Sequence, residues 1–289
     1  MGFFASIDGI ISPAAEARVS VLDNGFTFGD SVYETLRTYG GRPFHLDRHL
    51  LRLRESARVL AIPLPLADAE LGARVEAVLA RAGNEESYIR FIVSRGVGDI
   101  SYRFERVQGP TVVVVVKPYE APAAALYDQG ALAIVSGVRR NHRLALDPAI
   151  KCCNLLNNIL AVREAQAKGA LEPIMLNQEG EVAEGASCNV FLVKGGGLRT
   201  PPLEAGILAG VTRGVVLDLS RGLGLRTREE TVHAPELMEA DEVFFTSTLK
   251  EVMPVRAIGD HAVGGGRPGP VTLQLLKAYR NYARTTGAR

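Results

Sequence analysis

The sequence contains no tryptophan, only three cysteines and, among its 33 basic residues, only six lysines, at 117, 151, 168, 194, 250 and 277. Three cysteines, two of them adjacent at 152 and 153, do not frame a disulfide scaffold, and neighbouring residues do not close an ordinary bridge. A reducing, cytoplasmic setting is therefore expected. No apolar run reaches the ~18 residues that a membrane-crossing helix needs. The first twenty residues lack the basic flank and long apolar core of a secretory signal, and Met1-Gly2 with Ser6 meets a myristoylation pattern only loosely. An excess of one charge is also missing. The 33 Lys+Arg and 32 Asp+Glu leave a formal net charge of +1, with no block of like charge, which excludes a strong field for nucleic acid or an anionic membrane.

Common chemical motifs are absent as well. There is no G-x-S-x-G, no P-loop lysine, no C-x-x-C and no G-x-G-x-x-G between a strand and a helix. His45 and His49 stand four apart on a predicted helix, but no glutamate follows the first and no third ligand is evident. They are expected to be a helix-face pair without a metal.

What is present is enough for two modest domains: 289 residues, 47% hydrophobic. Strand-like alternation runs through "FFASIDGIIS", "VSVLDNG" and "SVYETLRTYGGRPF", with "YGGRP" as a hairpin turn. Leu46, Leu50, Leu53, Ala57 and Leu60 then repeat at helical spacing until Pro63 and Pro65. "ADAELGARVEAVLARAG" gives a second amphipathic helix, and "SYIRFIVSRG" and "PTVVVVVKPY" read as buried strands. Residues 120–128, rich in Pro and Ala and without periodicity, are the expected linker between a small domain (1–119) and a larger one (129–289). The later half mixes strands with helices over about 153–168, through "GVTRGVVLDLSRGLG" and from about Pro270. Strict βαβ alternation is missing, which favours an α+β fold over a doubly wound sheet.

Three features point to chemistry. Lys151, in "DPAIKCCNLLNNIL", sits near a predicted helix start, electrostatically a poor place for an idle cation. "AGILAGVTRGVV" runs from a loop into a helix, so the Gly210, Val211 and Thr212 N–H groups and the Thr212 hydroxyl form a generic anion site. A second loop, "FTSTLKE", offers hydroxyls at Thr246, Ser247 and Thr248. Glu184, among small residues at the start of a strand, needs a cationic or protonated partner if buried, and a pyridine nitrogen is one such partner. A lysine for an aldehyde, an acid for a ring nitrogen and a cup for a phosphate suit an amine-handling cofactor. Arg139, Arg140 and Arg143, just ahead of the lysine, are expected to be solvated surface charge.

Four segments together resemble the fold-type IV pyridoxal-phosphate enzymes, the group of branched-chain aminotransferases, D-amino acid aminotransferases and aminodeoxychorismate lyases. They are "FGDSVYETLRTYGGRPFHLDRHLLRL", "AIKCCNLLNNIL", "EGASCNVFLVKGGGLRTPPLEAGILAGVTR" and "DEVFFTSTLKEVMPV", and they cover nearly the whole chain. The resemblance implies a two-domain α+β fold with pyridoxal 5′-phosphate in the interdomain cleft, a barrel-like second domain and a homodimer. It implies that Lys151 is the Schiff-base lysine and that Glu184 keeps the pyridine nitrogen protonated. It implies further that Arg52 grips the phosphate, that Val211, Thr212 and Thr248 complete the phosphate loops, and that Leu208 packs on the ring. Tyr33, Tyr88, Arg90 and Leu249 fall at substrate-lining positions.

The expected reaction is ping-pong transfer of an amino group from an apolar, branched-chain L-amino acid to 2-oxoglutarate. Three alternatives are a D-amino acid or (R)-amine aminotransferase, an aminodeoxychorismate lyase, and a non-catalytic phosphate-ligand binder with the same fold. Leu155 stands where branched-chain enzymes carry a tyrosine. Ile100 and Tyr102 stand where D-specific enzymes carry an Arg-x-His carboxylate trap.

Overall fold

The computed structural model describes residues 2–287, which fall into two compact units. The first gathers Met1–Glu120, Ile150–Asn154 and Ala283–Arg289, and the second Ala121–Ala149 and Leu155–Tyr282.

The first unit holds strands β1 (Phe4–Ile7), β2 (Ile10–Pro13), β3 (Ser31–Tyr39), β4 (Arg42–Pro43), β5 (Ser87–Ser94) and β6 (Thr111–Pro118), with helices α1 (Asn24–Phe28), α2 (Leu46–Val59) and α3 (Asp68–Ala82). The strands form one antiparallel sheet in the order β2-β1-β6-β5-β3-β4. Successive side chains of a strand point to opposite faces, and the residues obey that period. Val32, Leu36, Ile89, Phe91, Val93, Val112, Val114 and Val116 share one buried cluster with Leu50, Leu53 and Ala57 of α2 and Leu71, Val75, Val78 and Ala82 of α3. Each of the valines, leucines, isoleucine and phenylalanine contributes roughly 1.5–3 kcal/mol on burial. The other face carries Tyr33, Thr35, Arg37, Tyr88, Arg90 and Lys117, in register across β3, β5 and β6. β5 and β6 are therefore half-buried and alternating, not buried on both faces as their apolar runs suggest. Gly83, at φ +60, ends α3 in the left-handed region that glycine tolerates.

The second unit contains α4 (Ala124–Gln129), β7 (Ala131–Val135), α5 (Arg143–Leu146), α6 (Leu156–Ala167), β8 (Glu172–Leu176), β9 (Val182–Gly185), β10 (Asn189–Lys194), β11 (Gly197–Thr200), α7 (Val211–Gly222), β12 (Arg226–Glu229), α8 (Ala234–Met238), β13 (Glu242–Ser247), β14 (Glu251–Ile258), β15 (His261–Ala262) and α9 (Pro270–Gly287) up to Tyr282, the rest of α9 counting with the first. Its mixed sheet runs β12-β11-β10-β13-β14-β7-β8-β9, with β15 paired to β14. β9 ends the sheet and leads into β10 through residues 186–188 alone. The sheet must therefore curl until β9 lies beside β10, and the two do touch. β8, β9 and most of β10 are buried on both faces. Strands of that kind are normally apolar throughout, so Glu172, Glu184 and Asn189 within them are the informative exceptions.

The expected linker, 120–128, carries α4, whose Tyr127 is buried and donates its hydroxyl to the Lys250 carbonyl. Among the described residues no helix is long and apolar enough to cross a membrane.

Candidate active site

In the first unit, Lys151 does not open a helix. Its carbonyl accepts from the Tyr33 N–H at 2.9 Å, the Cys153 N–H donates to the Ser31 carbonyl at 2.8 Å, and Cys152 bridges Val32 in antiparallel fashion. The lysine segment is thus pinned to the start of β3, and helix α6 begins only at Leu156. The two cysteines therefore belong to this bridge and not to a helix start. A Cys153 N–H committed to a strand cannot begin a helical ladder, which is why the expected start near 153 shifts. The Ser56 hydroxyl of α2 accepts from the Lys151 N–H at 3.1 Å.

The Lys151 Nζ lies 4.5 Å from the centroid of the Tyr33 ring, and the Arg90 guanidinium lies 4.2 Å from the same ring. Against burial, the neighbouring Tyr88 side chain helps hold the Arg90 guanidinium in its charged form. The strand register accounts for this group: Tyr88 and Arg90 are two apart on β5, opposite Arg37 and Thr35 of β3. Burial pushes the Tyr33 hydroxyl up to about 12, against a smaller opposing pull from Arg90, so it stays protonated at neutral pH.

Arg52 projects from α2 toward β3. Its Nε and Nη2 donate to the two oxygens of Glu34, each at 2.7 Å, in a bidentate pair. His49, one turn earlier, places Nδ1 2.7 Å from the same carboxylate. Burial pushes the Glu34 carboxyl up, but the Arg52 charge and the hydrogen bonds from Arg52 and His49 outweigh it and hold the group at about 2. Burial holds His49 below the usual imidazole range, despite the opposing pull of Glu34. His49 Nε2 is buried and has no hydrogen-bond partner. Glu34 carries no expectation from the sequence, and His49 is read there only as half of a helix-face pair, not as a partner of β3. A glutamate facing an otherwise apolar strand face was the available signal.

In the second unit, Glu184 of β9 is buried. One oxygen accepts from Arg140 Nε at 2.9 Å, and the other from the Leu208 N–H at 3.0 Å and Asn189 Nδ2 at 3.2 Å. Arg140 is itself buried, which overturns its reading as solvated surface charge. A carboxylate inside a curled sheet needs a cation, and Arg140, three residues beyond Gly137, reaches it. Its Nη1 also donates to Asn157 Oδ1 of α6.

Asn189, the first residue of β10, ties this acid to the neighbouring loops. It donates to the Leu208 carbonyl at 2.9 Å and pairs in register with Thr246 of β13. A Cβ on Gly210 would lie 2.0 Å from its Oδ1, so only glycine allows this approach. Gly210 is the N-cap of α7 and has no side-chain cap. The first N–H groups of the helix, Val211 and Thr212 included, have no intrahelical acceptor. The Thr212 and Thr246 hydroxyls are buried without a partner. Leu208 is half-buried before this helix start, and Thr248 and Leu249 lie half-buried in the turn between β13 and β14. Asn189 lies within the segment "EGASCNVF", where only strand register reveals its part. Among the described residues no group of three or more His, Cys, Asp or Glu could hold a metal.

Within the first unit the expected residues Lys151, Tyr33, Tyr88 and Arg90 come together, and Arg52 is held by Glu34. Within the second, Glu184 and Leu208 are joined directly, with Val211 and Thr212 on the adjoining helix start.

Comparison with known proteins places these residues in a family. The model of amino-transferase class IV matches residues 31–258. The D-alanine aminotransferase of Bacillus licheniformis is 35% identical over 274 residues, 95% of each chain. The branched-chain-amino-acid aminotransferase of Salmonella typhimurium is 34% identical over 272 residues, 91% of this chain and 87% of its own. The structure of the T.th. branched-chain amino acid aminotransferase with pyridoxamine 5′-phosphate superposes with a TM-score of 0.93 at 31% identity, covering 98% of this chain and 94% of its own. With a lysine fixed beside β3, a buried and paired glutamate on β9 and a hydroxyl-lined helix start, the chain belongs to the class IV aminotransferases and is a pyridoxal-phosphate-dependent transaminase.

Proposed function

We propose that the enzyme moves the amino group of an apolar, branched-chain L-amino acid to 2-oxoglutarate by a ping-pong reaction, as a homodimer. The observation that carries this reading is the group on the polar face of the first sheet, where Arg90 and Lys151 both lie against the Tyr33 ring. A guanidinium on a rigid strand suits a substrate carboxylate, and the ring beside it suits an apolar side chain. The loop after Gly96 points the same way: it presents Ile100 and Tyr102, both exposed, and no arginine or histidine at those positions. Exposed Val21, Leu22 and Phe26 offer apolar surface for a second copy.

The residues fit the cofactor. Two buried hydroxyls without partners, on Thr212 and Thr246, and an uncapped helix start suit a phosphate. Glu184, fixed by three donors, suits a protonated ring nitrogen. When bound, pyridoxal phosphate supplies an aldehyde for the amino group and a ring that accepts the electron pair left at Cα. Lys151 is assigned to hold the aldehyde and then to move the proton at its Nζ. Arg52, with its plane fixed by Glu34, is assigned with Val211, Thr212 and Thr248 to the phosphate. Leu208 is assigned to the ring face, and Tyr88, Arg90, Tyr33 and Leu249 to the substrate.

The test is a half-reaction panel. L-leucine is expected to bleach the cofactor's visible band, and 2-oxoglutarate to restore it with formation of glutamate. Borohydride reduction is expected to fix the label on Lys151. Bleaching by D-alanine or an (R)-amine alone would support the second reading, which the 35% identity to a D-alanine aminotransferase and the apolar Leu155 favour. Pyruvate release from aminodeoxychorismate would indicate a lyase.

A further inference from the structure

Outside the residues assigned above, the second unit contains a buried charged cluster. Glu172 opens β8 and is 2% exposed. Its Oε1 accepts from the Ser187 N–H at 2.7 Å, and its Oε2 from Lys250 Nζ at 2.5 Å. The same Nζ lies 2.7 Å from the Ser187 hydroxyl. Three separate pieces of chain therefore meet at one ammonium: the start of β8, the turn between β9 and β10, and the turn between β13 and β14.

Both turns carry or adjoin residues assigned to the reaction. Glu184 is three residues before Ser187, and Gly185 donates to the Cys188 carbonyl at 2.8 Å, so the turn is tight. A Cβ on Gly185 would meet Cys188 Sγ at 2.4 Å and Glu172 Cγ at 3.0 Å. Thr248 and Leu249 immediately precede Lys250, whose N–H donates to the Ser247 hydroxyl at 3.2 Å and whose carbonyl accepts from Tyr127. The Lys250 side chain thus spans from one turn to the other.

A serine beside a lysine could instead be a nucleophile and its base, but the charges forbid it. Burial pulls the Lys250 ammonium down, yet the neighbouring Glu172 carboxylate more than reverses this and holds it above the usual lysine range. An ammonium so held cannot take a proton from Ser187.

We propose that Lys250 is a positioning residue: by tying the Thr248–Leu249 turn to the Glu184 turn through Glu172 and Ser187, it sets the placement of both for cofactor and substrate. This rests on the function proposed above. The β10–β13 ladder ends at the pair Asn189–Thr246, so Ser187 and the Thr248–Leu249 turn lie past its last pair, and the latch ties them together there. A charge-assisted contact is the kind that can fix two such loops.

The test uses apo-protein titrated with pyridoxal phosphate and followed by absorbance, for wild type, Lys250→Met and the double variant Lys250→Met/Glu172→Gln. Lys250→Met leaves Glu172 buried without its cation, so part of its effect is on folding. The double variant removes both charges together and is expected to regain the melting temperature. Its affinity for pyridoxal phosphate is expected to stay about tenfold below wild type, the cost of one misplaced hydrogen-bonded contact. Its KM for the amino acid is expected to rise more than its kcat falls. A double variant with wild-type melting temperature, wild-type affinity and unchanged KM would show that Lys250 serves folding alone, and would overturn the inference while leaving the transaminase assignment intact. A wild-type protein that takes up no pyridoxal phosphate would overturn both.

Discussion

Arg140 and Glu184 form a buried ion pair, Nε to Oε1 at 2.9 Å, in which neither partner exposes a tenth of its surface. Arg140→Met keeps the Asn189 and Leu208 N–H donors on the carboxylate but removes its guanidinium. Removing one partner of such a pair costs about 3–5 kcal/mol, because the remaining charge stays buried. The variant is expected to lose that much stability in urea unfolding. If Arg140→Met unfolds at the wild-type midpoint, the pair is not what holds Glu184.

Glu34 gives the stability a pH dependence. Its folded value of about 2 lies below the ordinary 4.5. A depressed carboxylate contributes stability that is complete above the ordinary value and is lost as pH falls through the folded one. Stability is therefore expected to decline between about 4.5 and about 2, and more steeply in wild type than in Glu34→Gln. At neutral pH the Gln variant is expected to be less stable by about 3–5 kcal/mol, since Arg52 loses its anion. Parallel pH–unfolding curves for the two proteins would contradict this.

Thr212 and Thr246 predict opposite effects on the empty and the loaded protein. A buried hydroxyl without a partner costs about 1–3 kcal/mol, so an isosteric valine removes a penalty. Apo Thr212→Val and apo Thr246→Val are expected to melt at or above wild type. Their affinity for pyridoxal phosphate is expected to fall about tenfold, one lost hydrogen bond to a charged group. Calorimetric melting with and without cofactor reads both effects, and an apo variant clearly less stable than wild type would show that the hydroxyl has a structural role.

Gly210 tests the packing of the helix start. Its φ of −66° is open to any residue, so strain is not the issue. The added methyl of Gly210→Ala would collide with Asn189 Oδ1. Overpacking of this kind costs about 1–3 kcal/mol, and the displaced Asn189 would weaken its bonds to Glu184 and the Leu208 carbonyl. Reduced cofactor affinity together with lower stability is the expected result, and the companion change Asn189→Ser should relieve the stability loss but not the affinity loss.

Much of this was legible in the residues because it depends on local pattern. Alternation along "SYIRFIV" places Tyr88 and Arg90 on one face, since a strand turns its side chains with period two, whereas Tyr33 joins that face only through the β3–β5 register. The glycine and hydroxyl pattern of "LAGVTR" marks a helix start whose N–H groups lack partners. The order of the four motifs was enough to indicate the family, now shown by comparison over most of the chain. Burial, partners and crossings between distant segments were not legible. Arg139, Arg140 and Arg143 look alike in sequence, and only the curl of the second sheet brings Arg140 to Glu184, 44 residues away. Lys151 looks like a helix-start residue until Tyr33 and Ser31 claim its segment for β3. Lys250, in the turn between β13 and β14, and Glu172, on β8, are 78 residues apart, and neither β13 nor β14 neighbours β8 in the sheet. The sequence by itself determined the periodic faces, the helix start and the residue types its chemistry needs. Only the tertiary structure decided which charges were to be buried together, because the cost of burying a charge exists only once the chain has closed around it.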